Sequence, residues 1–357
     1  MQRQIITARS PAKLILSGEH AVLYGSPAIA FAINKHVYTT VIQDESHANI
    51  LFNLLNFKNA KKFTLKTLKE LKVRLQENYN NYQLGQCSIK DVLQTPFDLV
   101  NFTLTNLIEA FNVNLSSGFS VKTESNIPIG CGMGSSAATI MSLLHALGNL
   151  LNLDLCSNSY MKLAKDAENL QHGKSSGVDL YLSMTGGACV YTNNLEIKAR
   201  TFNNNNFYIV NTGEPESTTG DAVNSARKYF ENSNIADDFA IVTNSLDLIF
   251  SKEDADIREI KKLIQENHKL LNSIRVVPDK INSFIKELED ADCAAKVCGA
   301  GAVKGNKAGA VLIFVDDLNK SKKIIEKYNY SLDTVNIDSC GSKILPSQNE
   351  FELVASC

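Results

Sequence analysis

Ile127-Pro128-Ile129-Gly130-Cys131-Gly132-Met133-Gly134-Ser135-Ser136-Ala137-Ala138 places three glycines at alternate positions, then two serines, then small residues that open a helix. Phe119 to Glu124, just before it, alternates apolar and polar residues as a half-buried strand does, and Ala137 to Leu151, after it, has helical periodicity. The stretch is therefore a strand-to-helix junction. Glycines let the backbone wrap an oxyanion, and the N–H groups at a helix start point at it. The serine hydroxyls add ligands for a phosphate-bound Mg²⁺. No lysine follows the last glycine, so it is not a Walker A loop, and the spacing is not GxGxxG.

Upstream, after Pro11, Ala12-Lys13-Leu14-Ile15-Leu16-Ser17 reads as an apolar strand with one lysine, and Gly18-Glu19-His20-Ala21-Val22-Leu23-Tyr24-Gly25 as a polar turn after it. A lone lysine in a strand ordinarily faces water. Other early strands are expected at Ile5 to Ser10, Ala28 to Phe31 and His36 to Ile42, with helices from about Lys61 to Asn78 and Phe97 to Phe111. Downstream come a helix at Asn158 to Gln171, a turn-rich segment from His172 to Asp179, and strands at Ala188 to Tyr191 and Ile197 to Phe202. Asn203 to Asn206 reads as a loop. A second lobe is expected from about Asn206, with a strand at Phe207 to Asn211 and helices at Thr219 to Asn232, Asp238 to Phe250 and Ile257 to Ser273. Lys296 to Phe314 reads as strand, glycine-rich turn and strand. Strands and helices mix without strict βαβ alternation, which favours an α+β fold over a doubly wound sheet.

The 357 residues suit two lobes or one large unit, and 44% hydrophobic with 21% charged residues is a globular balance. The 36 basic and 38 acidic side chains give a formal charge of -2 with neither sign in a long block, which argues against a nucleic-acid partner and a polybasic membrane patch. Apolar runs such as Ala310 to Val315 fall far short of the roughly 20 residues of a membrane span. Arg3, Arg9 and Lys13 flank no apolar leader, so a cytoplasmic protein is expected. Cys87, Cys131, Cys156, Cys189, Cys293, Cys298, Cys340 and Cys357 lack a CxxC pair and read as mostly buried, reduced thiols. His20, His36, His47, His145, His172 and His268 show no zinc-ligand rhythm.

Three segments, Lys13 to Gly25, Ile127 to Ala138 and Lys296-Val297-Cys298-Gly299-Ala300-Gly301, resemble in order and spacing the three motifs of the GHMP kinases. Gly18-Glu19-His20-Ala21-Val22 and His172-Gly173-Lys174-Ser175-Ser176-Gly177-Val178-Asp179 are most similar to the mevalonate kinase branch, which carries GEHAV and HGxxSGVD there. The resemblance implies a two-lobe fold: residues 1–205 similar to ribosomal protein S5 domain 2, and residues 206–357 ferredoxin-like, with the site between them. It implies ATP and Mg²⁺ as cofactors and transfer of the γ-phosphate to the C5 hydroxyl of mevalonate, a step of isoprenoid biosynthesis. Phosphomevalonate kinase, another small-molecule GHMP kinase and a non-catalytic binding protein of this fold are the alternatives. Both a monomer and a homodimer stay open.

Carried over by position, Asp179 is the catalytic carboxylate and Lys13 the lysine beside it. Gly130, Gly132, Met133, Gly134, Ser135, Ser136 and Ala137 hold the nucleotide phosphates, and Ser136 with Glu168 holds the metal. Glu19, His20, Gly299, Ala300 and Gly301 fall on the substrate side. The residue types suit the task. A carboxylate accepts a hydroxyl proton, an ammonium keeps that carboxylate ionised, and Mg²⁺ takes hard oxygen ligands. Ala302, Val303 and Lys304 replace glycines of the family's third motif, so that loop either approaches the phosphates differently or gains a cation in Lys304.

Overall fold

The computed structural model describes residues 4–44, 48–115, 117–128, 130–192, 197–201, 206–252 and 256–346. His47, Ile129, Phe202, Asn203 to Asn205 and Cys357 lie outside the described residues. The chain begins β1 (Ile5–Ser17), β2 (Ala28–Asp44), β3 (Ile50–Leu54), β4 (Asn59–Phe63), α1 (Leu65–Gln83) and α2 (Pro96–Ala110). It continues β5 (Gly118–Ser125), α3 (Ser135–Leu150), α4 (Ser157–His172), α5 (Val178–Thr185), β6 (Ala188–Tyr191) and β7 (Ile197–Arg200). Then follow β8 (Phe207–Asn211), α6 (Thr219–Glu231), α7 (Ile235–Phe250), α8 (Ile257–Ser273) and α9 (Asp279–Asp290). The last elements are β9 (Ala294–Val297), β10 (Ala310–Phe314), α10 (Leu318–Lys327), β11 (Ser331–Thr334) and β12 (Lys343–Leu345).

One sheet has the order β12-β1-β2-β5-β3-β4 with β6 and β7 attached to β2, and the other the order β11-β8-β10-β9. Apart from the parallel β3–β5 pair, neighbouring strands are antiparallel, the α+β arrangement expected from the sequence. The two strands expected on either side of Pro11 are one strand, and so are those at Ala28 and His36. Pro11 pairs with His36 and Ala12 with Ile33, so Asn34 and Lys35 form a bulge opposite the residue that lacks an N–H. The first helix starts later than expected, because Thr64 caps it by accepting from the Thr67 N–H and the preceding residues pair with β3 instead.

Helices α1 to α4 pack on one face of the first sheet around Phe52, Leu104, Leu144 and Ala167. On the other side Leu14, Leu16 and Phe31 meet Phe207, Leu246, Ile264 and Phe314, so the two sheets share a core. Among the described residues no helix is long and apolar enough to cross a membrane. None of the seven described cysteines is disulfide-bonded, and four of them are buried.

The chain then returns to its start, as β12 pairs with β1. Asp338 anchors the return: its Oδ2 lies 2.7 Å from His36 Nε2 and 3.1 Å from Arg9 Nη2, and its Oδ1 accepts the Cys340 and Gly341 N–H groups. Ser342 reaches Ser10 and His145 at 2.7 Å each. Asp338→Ala leaves the arginine and two backbone donors without their acceptor. It should lower unfolding free energy by about 3–5 kcal/mol, seen as a lower denaturant midpoint at unchanged slope. A wild-type midpoint would show that the return strand is held by other contacts.

Candidate active site

Four backbone segments converge here. Lys13 lies on β1, and its N–H donates to the Met133 carbonyl at 2.9 Å, which ties the strand to the glycine loop. Its Nζ stands 3.4 Å from Asp179 Oδ1, and the two side chains are 6% and 25% exposed. Asp179 is in the first turn of α5, a helix missing from the sequence reading because the turn signals of residues 172–177 stop only at Gly177, its N-cap. A carboxylate is favoured at that end of a helix.

Gly130, Gly132 and Gly134 all have φ between 70° and 72°, the alternation that turns successive N–H groups into an anion-binding nest. Gly134 caps α3, and a Cβ on it would fall 2.9 Å from Lys13 Cγ and 3.3 Å from Asp179 Oδ2. The loop thus lies directly against the lysine–aspartate pair. Ser135, Ser136 and Ala137 form the first turn of α3, where N–H groups have no partner within the helix. Ser136 Oγ is 3.3 Å from His172 Nε2. The third glycine turn leans on the same loop: a Cβ on Gly299 would come 3.2 Å from Gly132 Cα, and one on Gly309 2.9 Å from Cys131 Cα.

Glu168, on α4, is 2% exposed and takes a hydrogen bond from the Ser175 hydroxyl. Burial, and then the charge of Asp179, hold its carboxyl well above the usual carboxylate range. The charges of Lys13 and Lys165 act on the Glu168 carboxyl in the opposite direction. The hard oxygens of Glu168 and Ser136 are of the type that suits a divalent cation bound to phosphate. Among the described residues no group of three or more His, Cys, Asp and Glu could hold a metal unaided.

The residues expected on the substrate side divide. His20 Nε2–H donates to the Ala300 carbonyl at 3.0 Å, which joins the first and third motifs. Glu19 is 1% exposed and paired with Lys296, so its charge is spent inside the protein. Gly301 abuts the Val276 carbonyl, which accepts the Ala302 N–H at 2.9 Å. Lys304 is exposed. Lys296 and Ser175 were not singled out from the sequence. Ser175 lies inside the HGKSSGVD signature, whereas nothing local marks Lys296 as the partner of a residue 277 positions away.

The GHMP kinases N terminal domain matches residues 98–187, which span the glycine loop, Glu168 and Asp179. The chain is 29% identical to the mevalonate kinase of Pyrococcus abyssi over 306 residues, covering 84% of this chain and 86% of that protein. It is 27% identical to that of Methanocaldococcus jannaschii over 331 residues, covering 90% and 95%. The crystal structure of the Methanococcus jannaschii mevalonate kinase superposes with a TM-score of 0.74 at 24% identity, covering 94% and 99% of the two chains, and shows the same fold.

Two outcomes follow from this geometry. Gly134→Ala should fold, at a cost of about 1–2 kcal/mol for a side chain at positive φ. It should lose turnover by about 10²-fold, because the new methyl displaces Lys13 or Asp179; wild-type turnover would mean the loop does not abut the reacting atoms. Burial lowers the pKa of His20 to about 4. A folded-state pKa below the unfolded value of about 6.5 gives stability that is present above pH 6.5 and lost as pH falls toward 4. An NMR titration of His20 should therefore find a midpoint near 4, and a midpoint near 6.5 would place the imidazole in water.

Proposed function

We propose that the chain is a GHMP kinase that transfers the γ-phosphate of ATP to the C5 hydroxyl of mevalonate, giving 5-phosphomevalonate and ADP. The observation that carries this reading is the Lys13–Asp179 pair seated against Gly134 at the start of α3. Its support in sequence is the likeness to mevalonate kinases over most of the chain. In this reading residues 1–205 and 206–357 are the two lobes, with β12 returning to the first sheet.

A primary alcohol is a poor nucleophile at neutral pH. Asp179 accepts its proton as the oxygen–phosphorus bond forms and the bond to the β-phosphate oxygen breaks. The Lys13 ammonium pairs with Asp179 and faces the negative charge that spreads over the phosphoryl oxygens. The N–H groups of the glycine loop and of residues 135–137 hold the nucleotide phosphates in place, so orientation is set before the proton moves. Glu168 and Ser136 are the residues that would hold Mg²⁺. The ion, when bound, neutralises phosphate charge. Ser175 orients the Glu168 carboxylate through its hydroxyl.

The test is ADP release by the full chain with ATP and Mg²⁺ against mevalonate, phosphomevalonate, homoserine and galactose. Turnover should be confined to mevalonate, and Asp179→Asn should lower it by about 10² to 10⁴ while nucleotide still binds. Turnover of phosphomevalonate alone would overturn the acceptor, and an active Asp179→Asn would overturn the base.

A further inference from the structure

His20 stands at φ 59° and ψ −50°. Across it, the Ala21 N–H donates to the Glu19 carbonyl at 2.6 Å. A bond between residues two apart, closed over a central residue with those angles, is the γ-turn of positive φ, which is rare and strained. A side chain stays in such a conformation only where its surroundings over-determine it, and these places cluster at working sites.

Two distant segments supply that constraint. Lys296, on β9, is wholly buried; it pairs with Glu19 Oε1 and donates to the Ile15 carbonyl at 3.2 Å. His20 Nε2–H donates to the Ala300 carbonyl, four residues beyond Lys296. The turn is therefore gripped on its Glu19 side by the strand that leads into the third glycine turn, and on its His20 side by that turn itself. The pair is a costly one. Both ions are out of water, and Glu19 Oε2 meets no donor among the described residues. Two well-packed apolar side chains would stabilise the fold as well or better.

We propose that Lys296 is a positioning residue: through Glu19 it holds the strained turn at His20 in register with the Gly299–Gly301 turn, and so shapes the side of the site that receives the alcohol. The proposal rests on the kinase reading above for what the alcohol is, but not for the grip itself. Glu19 thereby acts behind the site and not on the substrate, as the resemblance had implied.

Lys296→Met alone strands a buried carboxylate and invites misfolding, so the informative variant is Glu19→Gln with Lys296→Met, which removes both charges. It should melt near the wild-type temperature. Its KM for the acceptor should rise about tenfold or more, with kcat and the KM for ATP within about threefold of wild type. In a His20→Ala background the same double replacement should add less than about twofold, because the turn has already lost what the pair positions. An unchanged acceptor KM, an equal rise for ATP, or a full further loss on top of His20→Ala would overturn the proposal. A readout that needs no turnover is the His20 imidazole Nε2–H signal in NMR, protected from exchange in the wild type and lost in the double variant. Its survival in the double variant would also overturn the proposal. Should wild type use another acceptor of the panel, the kinetic cycle is run with that one, and only the mevalonate assignment falls.

Discussion

Asp179 and Glu168 are two acids in one partly closed space, and Lys13 is the cation they share. Burial and the charge of Asp179 raise the Glu168 carboxyl above the usual carboxylate range, and the Lys13 ammonium, 3.4 Å from Asp179, acts on it in the opposite direction. The fold is arranged around keeping it there. Lys13 follows directly on the β1–β2 bulge, paired with Ala32, and the Met133 carbonyl fixes its backbone. Helix α5 brings Asp179 to it from the far side, and the Ser183 hydroxyl pins that helix to the Pro11 carbonyl at 3.0 Å. Gly134 closes the third side, where a Cβ would fall 2.9 Å from Lys13 Cγ.

The same logic of backbone touching backbone joins the three motifs. Gly299 rests on Gly132, Gly309 on Cys131, and the His20 imidazole on the Ala300 carbonyl. Phosphate chemistry needs donors that are already aimed, since reorganising them during transfer would raise the barrier. Interlocking glycine turns would meet that need in the proposed kinase, and they bring three segments that lie far apart in sequence together. The return of residues 338–345 to β1 braces the arrangement from behind, at Arg9 and His36 and at the end of α5, where the Ser342 N–H donates to the Met184 carbonyl.

Much of this was legible in the residues themselves. Alternate glycines before Ser135-Ser136 mark a loop that opens a helix, and the HGKSSGVD run carries Asp179. Where the reading failed, the cause is local. Pro11 suggested a strand break, but a bulge in the partner absorbs it. Lys61 and Lys62 are exposed because β4 is an edge strand, and so they passed for the start of a helix. Helix α9 carries Ile281, Phe284, Ile285 and Leu288 on one face after Pro278, a signal that was present and not used. Glu19 is the harder case. A glutamate in a polar turn promises an exposed ligand, and only the tertiary structure sets a buried lysine opposite it.

The central claim is that Lys13 and Asp179 act as a unit, and a double-mutant cycle measures that directly. Turnover with ATP, Mg²⁺ and mevalonate is compared for Lys13→Met, Asp179→Asn and the two combined, each first shown to bind nucleotide. If the lysine works by pairing with the aspartate and by facing the same transferring group, the combined variant will be little slower than the slower single variant. Losses that multiply in full would contradict the account, because they would show the two side chains working on separate steps.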